Sequence, residues 1–334
     1  MAARNRKARA VDTRRIGNIE VSAMGFGGWA IGGPFASPDG QPLGWGDVDD
    51  DESIAALRTA HEAGVTLFDT ANVYGTGHSE RVIARAFSGH RDEVVYASKW
   101  GNGMVDRSRI AHGLVTTPEG LKRQLAESLE RLDTDYLDLF QFHINHYDGP
   151  EVDDLAAQLE TLVDEGTIRT YGWSTDFPEC AERWLGRPGY AAIQAQVNVF
   201  EDNAGIIALA EANGLAVLNR GPLAMGLLTG KYTADTKVDA DSVRGTSPEW
   251  LAYFDDGVPS PRFLAMLEQV RDALTADGRS LVQGAIGWLW ARSGATIPIP
   301  GIRTVARATE NAGALAFGPL PDDQFAEVER LLRS

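Results

Sequence analysis

Val65-Thr66-Leu67-Phe68-Asp69-Thr70-Ala71-Asn72-Val73-Tyr74-Gly75 reads as an apolar strand that ends on a carboxylate, followed by a short loop carrying a phenol. Helical patterns flank it. Upstream, Asp50-Asp51-Glu52-Ser53 supplies capping chemistry, Ile54, Leu57 and Ala60 recur on one face, and Gly64 provides a stop. Downstream, apolar spacing near 3.6 resumes over 79–87, and a second apolar strand follows at 94–99. The alternation of strand and helix set by this stretch repeats to the end of the chain.

Outward from it, Thr117-Pro118-Glu119 opens a helix whose Leu121, Leu125, Leu129 and Leu132 share a face. Strand 136–143 leads to helix 152–165, closed by Gly166; strand 168–174 leads to a helix near 178–185; strand 192–196 leads to helix 205–213. The seventh strand, 216–219, meets its helix, 281–292, only after a long insertion with an extra helix near 261–276. Strand 296–299 and helix 305–314 form the eighth unit, and helix 322–332 is additional. At the other end, 14–16 and 20–22 flank the turn dipeptide Gly17-Asn18, and a buried strand runs through 21–27.

Eight strand-helix units with no break in composition predict one closed (β/α)8 TIM barrel in preference to a doubly wound open sheet. An N-terminal β-hairpin, expected to plug the bottom of the barrel, and extra C-terminal helices complete the expected fold. Residues 15–334 form the single barrel domain. Residues 1–14, with Arg4, Arg6, Lys7 and Arg9, read as a basic, flexible tail.

The 47 acidic residues exceed the 31 basic ones, and the resulting net charge of −16 argues against nucleic acid or an anionic membrane as partner. No apolar run approaches the roughly 20 residues that span a bilayer, and no apolar h-region follows the basic start, so a cytoplasmic protein is expected. Cys180 is the only cysteine, which excludes an intrachain disulfide and gives no sign of a metal site. Oligomeric state is not legible.

Polar residues at the C-terminal ends of barrel strands converge on one mouth. Asp69, Lys99 and His143 end three successive apolar strands, and Tyr74 lies in the loop after the first. Singly, each has a plain structural explanation: a loop cap, a packed aromatic, a surface charge, a core histidine. Together they make a site. A phenol with an ordinary pKa near 10 donates protons poorly at neutral pH unless a cation stabilises its anion. Lys99 can supply that charge, Asp69 can hold the ammonium, and His143 can hydrogen-bond a substrate oxygen. Such a set suits proton donation to a carbonyl, with a hydride donor still to be supplied. A Schiff-base isomerase or lyase built on Lys99 is a competing reading.

Phe68-Asp69-Thr70-Ala71-Asn72-Val73-Tyr74-Gly75, Lys99 and Gln141-Phe142-His143 resemble the catalytic segments of the aldo-keto reductase superfamily, and the similarity runs from about residue 15 to about residue 332. Gly166-Thr167-Ile168-Arg169-Thr170-Tyr171-Gly172-Trp173-Ser174 and Gly226-Leu227-Leu228-Thr229-Gly230-Lys231-Tyr232 extend it. The resemblance implies a barrel that binds extended NADP(H), in preference to NAD(H), without a Rossmann turn. It implies reduction of an aldehyde, ketone or oxidised sugar to the alcohol, with Tyr74 as proton donor. A redox-sensing regulatory subunit with little turnover is the alternative.

By position, the resemblance assigns cofactor contacts to Gly28, Trp29, Asp69, Ser174, Thr175, Gln194, Arg220, Gly221, Pro222, Leu223 and Lys231. At the adenosine phosphate it assigns Gly301, Arg303, Arg307, Glu310 and Asn311. Arg220 stands where many members place an aromatic ring, Thr175 where asparagine is common, and Gly301-Ile302 where some carry a Lys-Ser pair. Trp29, Trp45, Trp100, Asn72 and His146 lie in or near rim segments suited to wall a substrate pocket.

Overall fold

The eight strands expected from the alternation all pair in parallel around a single barrel in the computed structural model, which describes residues 13–246 and 248–333. A hairpin of β1 (Thr13–Ile16) and β2 (Ile19–Ser22) precedes β3 (Gly25–Gly27). There follow α1 (Asp50–Glu62), β4 (Leu67–Asp69), α2 (His78–Ala86), β5 (Val95–Trp100) and a rim hairpin of β6 (Asn102–Met104) and β7 (Ala111–Leu114). The middle of the chain contributes α3 (Pro118–Leu132), β8 (Leu137–Phe142), α4 (Val152–Asp164), β9 (Ile168–Ser174), α5 (Pro178–Glu182), β10 (Tyr190–Gln196), α6 (Ala204–Asn213) and β11 (Ala216–Arg220). The insertion carries the small hairpin β12 (Phe254–Asp255) and β13 (Val258–Pro259), then α7 (Pro261–Thr275). The chain ends with α8 (Leu281–Arg292), β14 (Thr296–Pro298), α9 (Val305–Ala312), α10 (Ala314–Phe317) and α11 (Asp322–Leu332).

Spatially the barrel runs β3-β4-β5-β8-β9-β10-β11-β14. The seam between first and last strands closes where the Gly27 amide donates to the Pro300 carbonyl at 2.9 Å. Helix starts follow the capping chemistry of the sequence. Asp49 accepts from the amides of Asp51 and Glu52, Thr117 accepts from Gly120 ahead of Pro118, and Ser280 and Gln283 form a capping box. The apolar faces of the helices bury against the outward-facing residues of the strands, among them Phe68, Tyr96, Phe140, Trp173 and Val217.

Two expectations need correction. The strand through 21–27 is interrupted: Ser22 exchanges hydrogen bonds with Thr66 at 2.9 Å and donates to the Met24 carbonyl, turning the chain from the hairpin into the barrel. The other is at the start of the chain: Thr13 and Arg14 pair with Ser22 and Val21 in β1 and so belong to the hairpin. Arg4, Arg6, Lys7 and Arg9 lie outside the described residues. The hairpin does stop the N-terminal end of the barrel, where Ile16, Ile19 and Val21 pack against Leu67, Ala97, Leu139, Leu218 and Ile297.

Candidate active site

Strand periodicity decides which side chains meet at the mouth. Successive residues face opposite sides of a sheet, so the strand ends present Asp69, Lys99, Gln141 and Gln194 to the barrel interior. Lys99 is fully buried, and its Nζ donates to Asp69 Oδ2 at 2.6 Å, to the Thr70 carbonyl at 2.7 Å and to Tyr74 Oη at 3.3 Å. Asp69 Oδ1 is held from the other side by Gln141 Nε2 at 3.1 Å and Gln194 Nε2 at 2.9 Å. The carboxylate therefore has partners on both oxygens, the arrangement a buried ion pair needs to offset its desolvation.

His143 follows β8, and its ring stands edge-on to Tyr74 with centroids 5.8 Å apart. Its Nδ1 is buried without a hydrogen-bond partner among the described residues. Asp69, Tyr74, Lys99 and His143, expected from separate segments, thus come together at one rim.

Electrostatics set their protonation. Burial drives the Lys99 ammonium down, but Asp69 and Tyr74 outweigh it and leave the group above its ordinary value, hence charged. Burial raises the Tyr74 phenol above its ordinary 10.0 while Lys99 pulls the other way, so the phenol keeps its proton at neutral pH. Burial, reinforced by the Lys99 and Arg220 cations, holds the His143 imidazole well below 6.5 and therefore neutral.

Around these four, Trp29 lies nearly parallel to Tyr74, with ring centroids 6.1 Å apart, and its Nε1 donates to the Leu43 carbonyl at 3.0 Å. Trp45 meets Trp29 edge-on at 5.4 Å. Arg220 ends β11 facing inward and bonds Asp176 and Gln196. Neither partner stands out in the sequence: Asp176 lies beyond the end of β9, and Gln196 is the last residue of β10.

Three candidate contacts are corrected. Trp100 does not wall the pocket: inward Lys99 forces its neighbour outward, where Trp100 is fully buried and stacks on Phe142 at 4.6 Å. The same parity turns Thr175 away from inward Ser174. It is fully buried, with its hydroxyl donating to the Asn145 carbonyl at 2.5 Å and accepting from the Phe177 amide at 3.1 Å. Asn72 is also fully buried, its Nδ2 donating to the Asn102 carbonyl at 3.0 Å and its Oδ1 unpartnered among the described residues. His146 is exposed and packs edge-on to Phe177 at 4.9 Å.

The remaining candidates fall in two groups. Gly28 sits so close to Asp69 that an added Cβ would lie 2.8 Å from the Asp69 carbonyl oxygen, and Ser174 pairs with Gln194 in register. At the end of β11, Gly221 takes a left-handed φ of 61°, Pro222 is buried, Leu223 is half-buried, and exposed Lys231 lies over the Tyr232 ring at 4.7 Å. Beyond β14 come exposed Gly301 and half-buried Arg303, whose guanidinium donates to the Trp45 and Asp47 carbonyls. Arg307 pairs with Glu310 at 2.5 Å, and Asn311 is buried with its Oδ1 unpartnered among the described residues. Thr304 caps α9 between the two arginines.

A cavity of about 650 Å³ opens at the opposite end of the barrel beside the hairpin, lined by Glu20, Asp92, Glu93, Asp138 and Arg169 among others, and holds none of the four. Among the described residues no cluster of His, Cys, Asp and Glu suits a metal ion, and no helix is long and apolar enough to cross a membrane.

Comparison with known proteins agrees with this geometry. The family model described as the aldo/keto reductase family matches residues 23–333. The chain is 32% identical over 297 residues to the aldo-keto reductase YhdN of Bacillus subtilis, covering 85% of this chain and 82% of that protein. It is 26% identical over 319 residues to the aldo-keto reductase yakc [NADP(+)] of Schizosaccharomyces pombe, covering 92% and 87%. A solved glycerol dehydrogenase from Gluconobacter oxydans superimposes with a TM-score of 0.81 at 29% identity, over 97% of this chain and 96% of the other. The chain therefore belongs to the aldo/keto reductase family, and it is an oxidoreductase that reduces carbonyl groups.

Proposed function

We propose that Tyr74 delivers the proton in NADPH-dependent reduction of an aldehyde, ketone or oxidised sugar to the alcohol. The observation that carries this reading is the Lys99 ammonium, buried at the barrel mouth and shared between Asp69 and the Tyr74 phenol. NADPH, when bound, supplies the hydride. As the substrate oxygen gathers negative charge, the Tyr74 hydroxyl passes it a proton, and Lys99 stabilises the phenolate left behind. Neutral His143 orients the same oxygen through a ring N–H, and Asp69, fixed by Gln141 and Gln194, keeps Lys99 charged and in place.

The residues present fit a phosphorylated dinucleotide. Gly221 would leave an added Cβ no neighbour nearer than 3.6 Å, an open approach at the end of β11. Arg303 and Arg307 flank the capped start of α9, where the helix dipole favours an anion. The buried, unpartnered Asn311 Oδ1 is an acceptor suited to an adenine amine. NADP(+) in the name of the fission-yeast relative supports the same choice. A cytoplasmic setting belongs to this reading, and the shared core around one barrel supports residues 15–334 as a single domain.

Tyr74→Phe should retain NADPH binding, followed by fluorescence titration, and lose about 10²- to 10⁴-fold in aldehyde turnover. Arg303→Ala should weaken NADPH more than NADH. Unchanged turnover in the first variant overturns the proton donor, and equal weakening in the second removes the 2′-phosphate role.

A further inference from the structure

We infer that Ser79, in the first turn of α2, is a positioning residue for the proton transfer proposed above, an inference that rests on Tyr74 as the donor. Its hydroxyl fixes Thr70, whose carbonyl aims the Lys99 ammonium, and its amide holds the loop that carries Tyr74. An ammonium has three N–H groups to give. Those of Lys99 go to Asp69 Oδ2, to the Thr70 carbonyl at 2.7 Å and to Tyr74 Oη at 3.3 Å. With two of the three bound to Asp69 and Thr70, the place of the Thr70 carbonyl helps to decide whether the third meets the phenol.

Thr70 is held by its own side chain. Thr70 Oγ1 donates to Ser79 Oγ at 2.8 Å, and Ser79 Oγ donates to the Gly28 carbonyl at 2.8 Å. The Ser79 amide donates to the Tyr74 carbonyl at 3.2 Å. One fully buried serine thus ties together the segment after β3, the segment after β4 and the Tyr74 loop. The fit is close: a Cβ on Gly28 would lie 2.8 Å from Ser79 Oγ.

The helix itself has no use for this hydroxyl. The N-cap of α2 is Gly77, which has no side-chain cap bond, and both bonds of the Ser79 side chain leave the helix. An early helical position with no such duty suits alanine better. The turn is anchored on its other flank by the next residue. Buried Glu80 accepts from Ser98 Oγ at 2.6 Å and from Arg131 Nε of α3 at 2.5 Å, and Ser98 directly precedes Lys99 on β5. Two neighbouring residues of α2 therefore hold the strand that carries Lys99 and the residue that supplies its carbonyl partner.

The test measures kcat and KM with NADPH and either 4-nitrobenzaldehyde or glyceraldehyde, and NADPH Kd by fluorescence titration. The variants are Ser79→Ala, Thr70→Val, Thr70→Ser and the double variant Ser79→Ala/Thr70→Val. Thr70→Val keeps the shape and removes the hydroxyl without altering α2, so it decides the matter even if Ser79→Ala folds poorly. Ser79→Ala and Thr70→Val should each lower kcat about tenfold, with aldehyde KM and NADPH Kd within about twofold of the wild type. Thr70→Ser, which keeps the hydroxyl, should recover most of the loss. The double variant should fall no further than either single one, because both break the same chain of bonds. An unchanged kcat in Ser79→Ala or in Thr70→Val, or losses that multiply in the double variant, overturns the inference while leaving Tyr74 as the donor. Should the wild type reduce neither aldehyde, or Tyr74→Phe keep full turnover, the reading of the reaction fails, and crystal structures of Ser79→Ala and Thr70→Val decide the positioning. Tyr74 Oη displaced from Lys99 Nζ supports it, and an unmoved pair overturns it.

Discussion

Tyr74 and His143 enter reduction in their uncharged forms, and the structure moves both away from neutrality of pH in the helpful direction. A Tyr74 pKa raised above 10.0 keeps the phenol protonated into alkaline solution, and a His143 pKa well below 6.5 keeps the imidazole neutral into mild acid. The donor form of Tyr74 is lost only as pH rises through its raised pKa. The neutral form of His143 is lost only as pH falls through its lowered one. For the reduction direction, kcat/KM should therefore stay level between pH 6.5 and 10, a span on which an ordinary histidine would impose an acidic limb. A pH-rate profile measured with a neutral aldehyde checks this, and a limb centred between 6.5 and 8 would contradict it. At this scale the sequence was most informative where residues end apolar strands. Asp69, Lys99 and His143 were legible together, because three successive apolar strands stop on a carboxylate, an ammonium and an imidazole, which no single structural explanation covers. Trp100 and Thr175 were misplaced because each follows an inward residue on its strand, and a neighbour one step along faces the other way. Asp176 and Gln196 were missed because their importance depends on Arg220, which reaches them only after β9, β10 and β11 pair in register.

Between elements, the barrel depends on a narrow seam. β3 approaches the end of β14 so closely that a Cβ on Gly27 would lie 2.6 Å from the Ile299 carbonyl oxygen, a backbone atom that cannot move without loosening the strand. Gly27→Ala should cost about 1–3 kcal/mol as the seam opens. Because Gly28 and Trp29 follow directly, it should also raise the KM for cofactor or substrate. Chemical denaturation read beside steady-state kinetics checks both; a variant with native stability would show that the seam has slack. α8 and α11 occupy the expected residues; Ser280 and Gln283 form a capping box at the start of α8, and Asp322 and Asp323 lie in the first turn of α11, which has no side-chain cap. The rim hairpin of β6 and β7 was not legible. Each strand contains a glycine, the burial of β7 does not alternate, and the pairing is supported from outside by the Ala111 amide donating to the Ala36 carbonyl at 2.8 Å. Tertiary partners supply what local pattern lacks there.

Across the whole molecule, the two ends of the barrel do different work, and the opening hairpin makes that division testable. Ile16, Ile19 and Val21 close the floor over Leu67, Leu139, Leu218 and Ile297, while the polar layer of Lys99, Asp69, Gln141 and Gln194 lies above it at the C-terminal strand ends. The floor layer is apolar and shields the underside of the buried Lys99–Asp69 pair from water, which strengthens every charge interaction at the mouth. Ile16 is fully buried, so Ile16→Ala removes apolar contact and leaves a void at the bottom of the barrel. The expected cost is about 2–5 kcal/mol. Since Ile16 touches none of the groups at the mouth, kcat/KM below the unfolding transition should stay at the wild-type value. Urea denaturation followed by circular dichroism, with aldehyde turnover assayed in parallel, separates the two quantities. A loss of stability without loss of turnover would establish the floor as a cap on the fold alone. A matching fall in kcat/KM would show instead that the hairpin holds the buried ion pair, and through it the Tyr74 phenol, in working position.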